Sequence, residues 1–465
     1  MIKLKLSEAA AFVGGELFGL DHEIFGSVET DSRLVSSGSL FVAKPGEVTD
    51  GHNFLESAET LGAVGAIVEK RNADLKLPQI VVDDSVKALG LLAKAVLAKV
   101  RSESNLKVIG ITGSNGKTST KNMLRAILSQ FGETIAPIES YNNEVGAPIS
   151  ILKIDWETKY LVAELGAGGV GSIAYLSDIT KPDIGVVLKV GLAHVGEFGG
   201  IETTTQIKSE LVQALGPDST FVYNGDDANV SGMTALTTAK KVSFGTNHST
   251  NLFFDNVGLS MAGTSADIHF ADGSVEKLDL QILGEHQMMN ALAAIAVSEE
   301  LSLPRNLVLR AISDLPLAER WRMQLTNRSD GVSIINDAYN ASPDSMKAAL
   351  QTLAHLGKGG RRTIAVLGEM AELGDFSRDA HDQIGRLVVR YNIDQLVVIG
   401  HGAKLIHMGA MFEGSWDGES IYFDSSSEAL EHIRGMLVRG DIVLVKSSKS
   451  ANLRHLGDDL LEVQS

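Results

Sequence analysis

A glycine loop that ends in lysine and threonine is the part of this sequence most able to do chemistry. Residues 113–118 read Gly-Ser-Asn-Gly-Lys-Thr and follow the apolar run 107–112. Between a strand and a helix, such a loop turns backbone N–H groups towards phosphate oxygens, and Lys117 and Thr118 can reach the terminal phosphates and a bound Mg²⁺. We therefore expect the chain to bind a nucleoside triphosphate, the alternative being an ordinary tight turn. The residues expected to hold it are Gly113, Ser114, Asn115, Gly116, Lys117, Thr118 and Ser119.

Three further side chains are candidates for the same site. Glu164 ends an apolar strand, and His194 lies in the loop that follows the predicted strand 184–188. Ligands of a parallel sheet gather at the carboxyl ends of its strands, so we expect Glu164 to bind a metal ion and not to be a solvated strand end. For His194, a structural role in its glycine-rich loop is an equal alternative. Lys208 lies on a predicted helix, and its spacing alone predicts an exposed lysine.

Two polar loops in the last third of the chain also lie between a strand and a helix. Residues 336–343 read Asn-Asp-Ala-Tyr-Asn-Ala-Ser-Pro, and residues 368–375 read Gly-Glu-Met-Ala-Glu-Leu-Gly-Asp. Both loops indicate a second ligand or a lid over the first, and the alternative is a pair of well-capped helix starts. No Gly-x-Gly-x-x-Gly pattern follows a strand, so a nicotinamide cofactor is not indicated.

The composition limits the class of protein. The excess of 58 acidic over 41 basic residues gives a net charge of −17, which repels a phosphate backbone, so we expect no nucleic-acid partner. The chain has no cysteine, which excludes disulfides, thiolate metal ligands and a cysteine nucleophile. Nothing in it resembles a signal peptide or a membrane span, and we expect a cytoplasmic protein.

The elements that must position these residues indicate an α/β protein of three domains, as 465 residues allow. Residues 1–104 form a small N-terminal α/β domain that ends in the polar linker 101–105. Residues 105–316 alternate strands and helices, which predicts a central P-loop ATPase domain with a mainly parallel sheet and an antiparallel excursion at 250–283. Residues 317–465 alternate again and form a C-terminal Rossmann-like α/β domain.

These motifs, in this order, resemble the Mur ligase family over nearly the whole chain. The matching segments are residues 30–33, 41–46, 50–52, 113–118, 142–148, 284–290, 320–323, 336–343 and 366–374. The segments 336–343 and 366–374 are most similar to the member that adds a dipeptide, because members that add one amino acid typically carry a Tyr-Ala-His type loop. Residues that depart from the pattern of many members are Gly168, Ser172, Lys189 and Gln287.

The resemblance implies an ATP-dependent peptide ligase that joins D-alanyl-D-alanine to UDP-N-acetylmuramoyl-tripeptide through an acyl phosphate. The N-terminal domain would bind the UDP-sugar, and the C-terminal domain would close on ATP and bind the amine substrate. We expect a monomer. The alternatives are another amide-forming ligase of this architecture, such as an earlier peptidoglycan enzyme or a folate polyglutamate ligase, a P-loop ATPase that drives a partner, and a non-catalytic nucleotide-binding scaffold.

The resemblance also implies roles for individual residues. The catalytic residues would be Lys117, Glu164, His194 and Lys208. Two Mg²⁺ ions are implied, the first held by Thr118 and Glu164 and the second by His194 with a carbamylated Lys208. The further nucleotide-binding residues would be Asn290, Arg322, Asp337 and Asn340. The substrate-binding residues would be Ser32, Arg33, Asp50, His52, Asn142, Asn143, Tyr339 and Ser342.

Overall fold

A computed structural model of the chain describes residues 1–46, 49–137, 140–193, 195–317, 319–414 and 418–462. Within these residues the strands form four sheets, of two, five, nine and six strands. The two smaller sheets lie at the N-terminal end, the nine-stranded sheet follows, and the six-stranded sheet is C-terminal. The α/β fold class with three successive units is therefore confirmed, whereas the boundaries at 104 and 316 stay predictions.

The N-terminal unit has a mixed sheet with the order β2-β7-β6-β5-β4, in which only the β2–β7 pair is antiparallel. Strands β1 and β3 form a separate antiparallel pair. Its elements are β1 (Leu4–Lys5), α1 (Leu6–Val13), β2 (Glu16–Phe18), β3 (Glu23–Ile24), β4 (Val28–Glu29), β5 (Leu40–Val42), α2 (Leu55–Thr60), β6 (Gly65–Val68), β7 (Gln79–Val81) and α3 (Ser85–Glu103).

The central unit has the order β16-β15-β14-β13-β12-β11-β8-β10-β9, parallel from β9 to β14. The last two pairs are antiparallel, which confirms the excursion at 250–283. Its elements are β8 (Lys107–Thr112), α4 (Lys117–Leu128), β9 (Glu133–Ile135), α5 (Gly146–Ile151), β10 (Thr158–Glu164), α6 (Ser172–Thr180), β11 (Ile184–Val187), α7 (Val195–Phe198), α8 (Ile201–Gln213), β12 (Thr220–Asn224), α9 (Ala228–Gly232), β13 (Lys240–Gly245), β14 (Leu252–Ser260), β15 (Gly263–His269), β16 (Val275–Leu280), α10 (Glu285–Glu300) and α11 (Arg305–Ser313).

The C-terminal unit has the order β17-β18-β22-β19-β20-β21, parallel except for the β17–β18 pair at one edge. Its elements are β17 (Gln324–Asn327), β18 (Ser333–Asn336), α12 (Pro343–Gly357), β19 (Thr363–Leu367), α13 (Ser377–Arg390), β20 (Gln395–Ile399), α14 (Lys404–Glu413), β21 (Ser420–Phe423), α15 (Ser426–Met436), β22 (Ile442–Lys446) and α16 (Leu453–Asp459).

Helices cover both faces of the central sheet, which explains why its strands are apolar along their length. Helices α4, α10 and α11 form one core with the sheet, and α6 and α8 form a second core on the opposite face. Within β8, Ile109 and Ile111 are fully buried. Both belong to the first of these cores, whereas Val108 of the same strand is buried in the core that contains α3, so the strand is held from both sides and the loop starts from a fixed point.

The expected linker at 101–105 is wrong for its first three residues, because α3 continues to Glu103. The Arg101 guanidinium donates to the Lys181 carbonyl and to the Asp183 carboxylate, both at 2.8 Å. Helix α3 also shares one hydrophobic core with α1 and with α5 of the central unit. In the part of the chain that the structure describes, no helix is both long enough and apolar enough to span a membrane.

Candidate active site

A cavity of about 740 Å³ lies where the central sheet faces the C-terminal unit. It brings together most of the residues that the sequence singled out. Those lining it are Ser114, Asn115, Gly116, Lys117, Thr118, Ser119, Asn142, Glu164, Lys208, Asn290, Arg322, Asp337, Tyr339, Asn340 and Ser342. Because residues of both units contribute to one cavity, both are positioned to contact one bound molecule.

The glycine loop has the backbone shape that only glycine adopts without strain. Gly113 has a φ of +148° and Gly116, at the start of α4, has a φ of +89°. A Cβ on Gly116 would lie 2.3 Å from Oδ1 of Asn290, so the α10 asparagine packs directly against the loop. The Lys117 side chain folds back, and its Nζ donates to the Gly113 carbonyl at 2.7 Å. This arrangement leaves the start of α4 facing the cavity, as phosphate binding requires.

A hydroxyl and a carboxylate lie side by side next to the loop. The Thr118 hydroxyl donates to Glu164 Oε2 at 3.1 Å, and the Asn142 amide donates to Glu164 Oε1 at 2.8 Å. The Arg322 guanidinium reaches Thr118 from the C-terminal unit, with Nη2 3.2 Å from the hydroxyl. Thr118 and Glu164 are both almost fully buried. Strand β10 thus delivers its terminal carboxylate to the loop, which is the placement that the strand-end argument requires.

The donor set fits Mg²⁺ carried by a nucleotide. Oxygen atoms of a threonine and a glutamate are the hard ligands that Mg²⁺ prefers, and Mg²⁺ usually completes its shell with phosphate and water. Among the described residues no three His, Asp or Glu side chains form a metal cluster of their own. Two buried donors, Asn115 Nδ2 and Arg322 Nε, have no hydrogen-bond partner within the structure. Donors of this kind beside the loop favour a bound anion.

Lys208 is only 3% exposed, so the exposed lysine that the helical spacing predicts is wrong. The pKa of Lys208 is lowered to about 7, mainly by burial and also by the charge of Lys117, while Glu210 opposes the shift. Glu210 itself accepts from the Gly171 and Ala174 N–H groups at the start of α6. Burial also lowers the pKa of Lys117, with Glu164 opposing and Arg322 adding to the shift. The expected metal ligand His194 lies outside the described residues.

The C-terminal wall of the cavity is organised around a buried ion pair. Lys446 Nζ lies 2.6 Å from Asp337 Oδ2 and also donates to the Asp337 and Asn340 carbonyls, at 3.3 and 3.1 Å. Asp337 Oδ1 accepts from the Met323 N–H at 2.9 Å. Asp337, an expected nucleotide ligand, is therefore already held by Lys446 and the Met323 backbone. The pair fixes the loop that presents Tyr339 and Asn340 to the cavity.

Two contacts tie this loop to the central unit, one of them to the glycine loop itself. The Tyr339 hydroxyl lies 3.2 Å from the Ser140 hydroxyl, and the Ser342 hydroxyl donates to Asn115 Oδ1 at 3.2 Å. The Arg322 guanidinium carbon lies 4.2 Å from the centre of the Tyr339 ring, a cation–π contact. The expected residues of the central and C-terminal units are thus in direct contact in this structure.

The remaining expected residues do not line the cavity. Gly113 is part of the glycine loop but does not line the cavity. Asn143 accepts a hydrogen bond from the Gly146 N–H, which stabilises the turn before α5. Arg33 pairs with a neighbouring aspartate on an exposed turn that also contains Ser32. His52 Nδ1 lies 2.7 Å from Asp50, and its Nε2 accepts from the Glu69 N–H. Their roles in binding a substrate stay predictions.

Sequence reasoning assigned no site role to several cavity residues. Among them are Ser140, Ser345, Lys446, Ser448, Lys449, Ser450 and Arg454, whereas His286, Gln287, Ala371 and Glu372 lie in segments that resemble the family but were given no role. Lys446 ends strand β22, so the strand-end argument that identified Glu164 could have found it. Burial lowers the pKa of His286 to about 4, which keeps its ring neutral near neutral pH. Gln287, one of the departures from the family pattern, accepts from the Asn290 amide at 3.0 Å and so fixes that side chain.

Comparison with known protein families identifies three successive matches. The families are described as Mur ligase family, catalytic domain, at residues 25–97, Mur ligase middle domain at residues 111–298, and Mur ligase, glutamate ligase domain at residues 321–449. Together the matches include the glycine loop, Glu164, Lys208 and the loop that holds Asp337.

Individual proteins match over nearly the whole chain. The UDP-N-acetylmuramoyl-tripeptide–D-alanyl-D-alanine ligase of Mycobacterium tuberculosis is 39% identical, over 99% of this chain and 98% of that protein. A crystal structure of MurF from Acinetobacter baumannii superposes with a TM-score of 0.89 at 30% identity, and 99% of each chain is covered. MurF from Thermotoga maritima, solved in complex with ADP, gives a TM-score of 0.84 at 25% identity over 95% of this chain and 98% of the other.

Proposed function

We infer that the chain, which belongs to the Mur ligase family, is an ATP-dependent peptide ligase that joins D-alanyl-D-alanine to UDP-N-acetylmuramoyl-tripeptide. The product is the pentapeptide precursor of peptidoglycan. The observation that carries this inference is the 39% identity to a ligase of that name over 99% of the chain. The cavity supports it, because a phosphate-binding loop, a carboxylate and a polar C-terminal wall meet there.

The chemistry requires activation of a carboxylate. When bound, ATP and Mg²⁺ supply it by converting the terminal carboxylate of the tripeptide into an acyl phosphate, whose phosphate is a good leaving group. The amine nitrogen of the dipeptide then forms a bond to the acyl carbon, the bond from that carbon to the phosphate oxygen breaks, and the amine loses a proton. The protein must hold the triphosphate, orient the two substrates and keep water away from the acyl carbon.

The glycine loop and its neighbours would hold the triphosphate. The N–H groups at the start of α4 and the Lys117 ammonium, which lies beside the Gly113 carbonyl, would bind the phosphates, while Thr118 and Glu164 would supply oxygen ligands for one Mg²⁺. The two unpartnered donors, Asn115 Nδ2 and Arg322 Nε, add hydrogen bonds to an anion in the same place. We propose that Asn290, which packs against Gly116, contacts the base.

A second Mg²⁺ would be held by His194 and a carbamylated Lys208. A buried lysine ammonium cannot bind a cation, but addition of CO₂ to its free amine gives an anionic oxygen ligand. Support comes from the burial of Lys208 and from the absence of an ion pair to it among the described residues. Its pKa of about 7 leaves a substantial share of the side chain as the amine that reacts with CO₂.

The C-terminal unit would exclude water from the reacting carbon. Tyr339 contacts Ser140 of the central unit and Ser342 contacts Asn115 of the glycine loop, so a closed arrangement would shield the cavity. In the N-terminal unit, we propose that Ser32, Arg33, Asp50 and His52 contribute to binding the UDP-sugar, and that Asn142 and Asn143 lie beside the peptide. A monomeric state and a cytoplasmic location stay predictions.

The test is ADP release by the purified full-length chain with ATP, Mg²⁺, UDP-N-acetylmuramoyl-tripeptide and D-alanyl-D-alanine, each omitted in turn. Separate arms use a tripeptide ending in lysine and one ending in diaminopimelate. We expect release that requires both substrates and a mass gain equal to one dipeptide. Lys117→Ala should lose the activity by about 1,000-fold, because the developing phosphate charge loses its fixed cation. Release that is indifferent to the dipeptide would contradict the proposal and favour an ATPase.

A further inference from the structure

The dipeptide presents a recognition problem that the reaction itself does not solve. D-Alanyl-D-alanine has an amine that reacts, two methyl groups and a carboxylate that takes no part in the chemistry. A carboxylate brought into a closed cavity needs a cation, because burying an unpaired charge is costly. The far end of the dipeptide therefore requires a positive side chain that has no other task.

Six lysine and arginine side chains line the cavity among the described residues, and most are already engaged. They are Lys117, Lys208, Arg322, Lys446, Lys449 and Arg454. Lys117 and Arg322 contact the glycine loop, and Lys208 has the metal-site role proposed above. Lys446 uses three hydrogen bonds on Asp337 and Asn340.

Of the six described cations that line the cavity, Lys449 and Arg454 are the two that have no assigned role. In the part of the chain that the structure describes, neither side chain forms an ion pair, and Lys449 is exposed to the cavity. Among the described residues, the Arg454 side chain makes one long hydrogen bond of 3.4 Å to His455, and its guanidinium carbon lies 5.3 Å from the centre of the Trp321 ring. Both follow strand β22, whose end carries Lys446, so the sheet edge that fixes the Asp337 loop also presents these two cations.

The Tyr339 side chain connects Lys449 with the phosphate-binding end of the cavity. The Lys449 Nζ lies 5.9 Å from the centre of the Tyr339 ring, and the Tyr339 hydroxyl lies 3.2 Å from Ser140, which in turn lies 3.3 Å from the Thr118 hydroxyl. Lys449 is therefore a cation on the ring side of Tyr339, whereas the hydroxyl of Tyr339 faces the phosphate-binding residues. A dipeptide bound beside Tyr339 with its amine towards Thr118 would have its carboxylate on the Lys449 side.

Part of the cavity wall is suited to methyl side chains. Ala341 and Ala371 line the same cavity, and Ala341 belongs to the loop that carries Tyr339. The side chains of these two alanines are small and apolar, and they offer no hydrogen-bond partner to a polar side chain.

We propose that Lys449, assisted by Arg454, binds the terminal carboxylate of D-alanyl-D-alanine and so sets the length of the amine substrate. The proposal rests on the proposed function and adds a specificity-determining residue to it. A single amino acid has its carboxylate about 3.5 Å closer to its amine, so its amine cannot reach the acyl carbon while its carboxylate contacts Lys449.

The experiment pairs removal of the cation with removal of the carboxylate. Lys449→Met, Lys449→Arg and the wild type are assayed with D-alanyl-D-alanine and with its C-terminal amide, which has no negative charge. We expect Lys449→Met to raise the KM for the dipeptide about 30-fold, which is about 2 kcal/mol at 1.4 kcal/mol per tenfold, with the KM for ATP unchanged. Lys449→Arg should retain most of the affinity.

The C-terminal amide of the dipeptide shows whether Lys449 acts on the substrate carboxylate. The wild type should use the amide about 30-fold less well than the acid, whereas Lys449→Met should use the two equally. Arg454→Met should give a smaller loss of the same kind. Lys241→Met is the matched control, because Lys241 is an exposed lysine that does not line the cavity, and it should behave as the wild type.

Two results would overturn the inference. Lys449→Met could raise the KM for ATP instead, which would assign the lysine to the nucleotide, or it could keep the preference of the wild type for the acid. Failure of the proposed function gives a different result, because the wild type itself would then release ADP without any dependence on the dipeptide.

Discussion

Among single residues, Lys208 is buried in surroundings that disfavour its charged form. A lysine that is 3% exposed and has no ion pair in the described part of the chain is poorly solvated as an ammonium. Carbamylation would remove that charge and replace it with an anion. The side chain would then be tolerated in its surroundings because a metal ion pairs with it.

Lys208→Ala should therefore lose about 100-fold in the rate of ADP release, because one ligand of the second Mg²⁺ is missing. Added formate or acetate should restore part of the rate, since a small carboxylate fits the space left by the side chain. The measurement is kcat as a function of carboxylate concentration.

Lys117→Ala is the control for this rescue, because a carboxylate cannot replace an ammonium, and it should not respond. Full activity of Lys208→Ala without any additive would rule out the carbamate. A loss that no small carboxylate relieves, in a variant that keeps the thermal stability of the wild type, would also count against it.

The residues that sequence could identify are those fixed by local geometry. The glycine loop and Glu164 follow from a strand that ends at the binding edge of a parallel sheet. The burial of Lys208 could not be predicted from helical spacing, since the neighbours that bury it come from other elements. Lys449 and Arg454 lie after a strand in a segment without a recognisable pattern, so only the tertiary structure shows that they face the cavity.

Among elements, the effect of a side chain at the glycine before α4 can be compared with its effect at the glycine before α6. Gly116 and Gly171 both precede their helices in the left-handed region, with φ of +89° and +91°. Alanine at either position incurs the same backbone strain, about 1–2 kcal/mol. Only at Gly116 does the new Cβ meet a neighbour, at 2.3 Å from Asn290 Oδ1, whereas at Gly171 nothing lies within 4 Å.

Gly116→Ala should therefore lower kcat/KM for ATP by about 100-fold. The new methyl group would displace Asn290 and the loop, and the loop N–H groups would then be misaligned with the bound phosphates. Gly171→Ala should lower it by no more than a few-fold. The two variants should have similar free energies of unfolding. Equal kinetic losses would mean that backbone strain, and not the contact with Asn290, limits the loop.

The order and type of the elements were largely readable from hydrophobic periodicity, because each long helix and central strand has a buried face of its own. The end of α3 cannot be predicted in this way. Residues 101–103 are polar and indicate a linker by composition, yet Arg101 is held in the helix by the Lys181 carbonyl and Asp183 of the central unit. A helix end decided by distant residues cannot be predicted from its own sequence.

At the scale of the whole molecule, one ion pair joins the central and C-terminal units beside the cavity. Lys189 Nζ lies 2.8 Å from Asp344 Oδ1, and Asp344 Oδ2 accepts from the Leu192 N–H at 3.3 Å. Lys189 is one of the residues that depart from the family pattern in the sequence. Asp344 lies in the first turn of α12, where a negative charge is also favoured by the helix dipole.

The pair should stabilise the closed arrangement by about 0.5–1 kcal/mol, the range for partly exposed ion pairs. Lys189→Met, Asp344→Asn and the double variant form a cycle in which kcat/KM for ATP is measured. Each single variant should lose about 2–5-fold, and the double variant should lose no more than the larger single loss, because the two side chains act through one contact.

Salt provides an independent check on the same contact. The wild type should lose activity as the ionic strength rises from about 0.05 to 0.5 M, since partly exposed pairs are screened, and the double variant should lose less. Lys240→Met, which removes a 2.8 Å pair to Glu300 within the central unit, is the matched control and should leave kcat/KM for ATP unchanged. Additive losses in the cycle would mean that Lys189 and Asp344 act separately, and that closure does not depend on their contact.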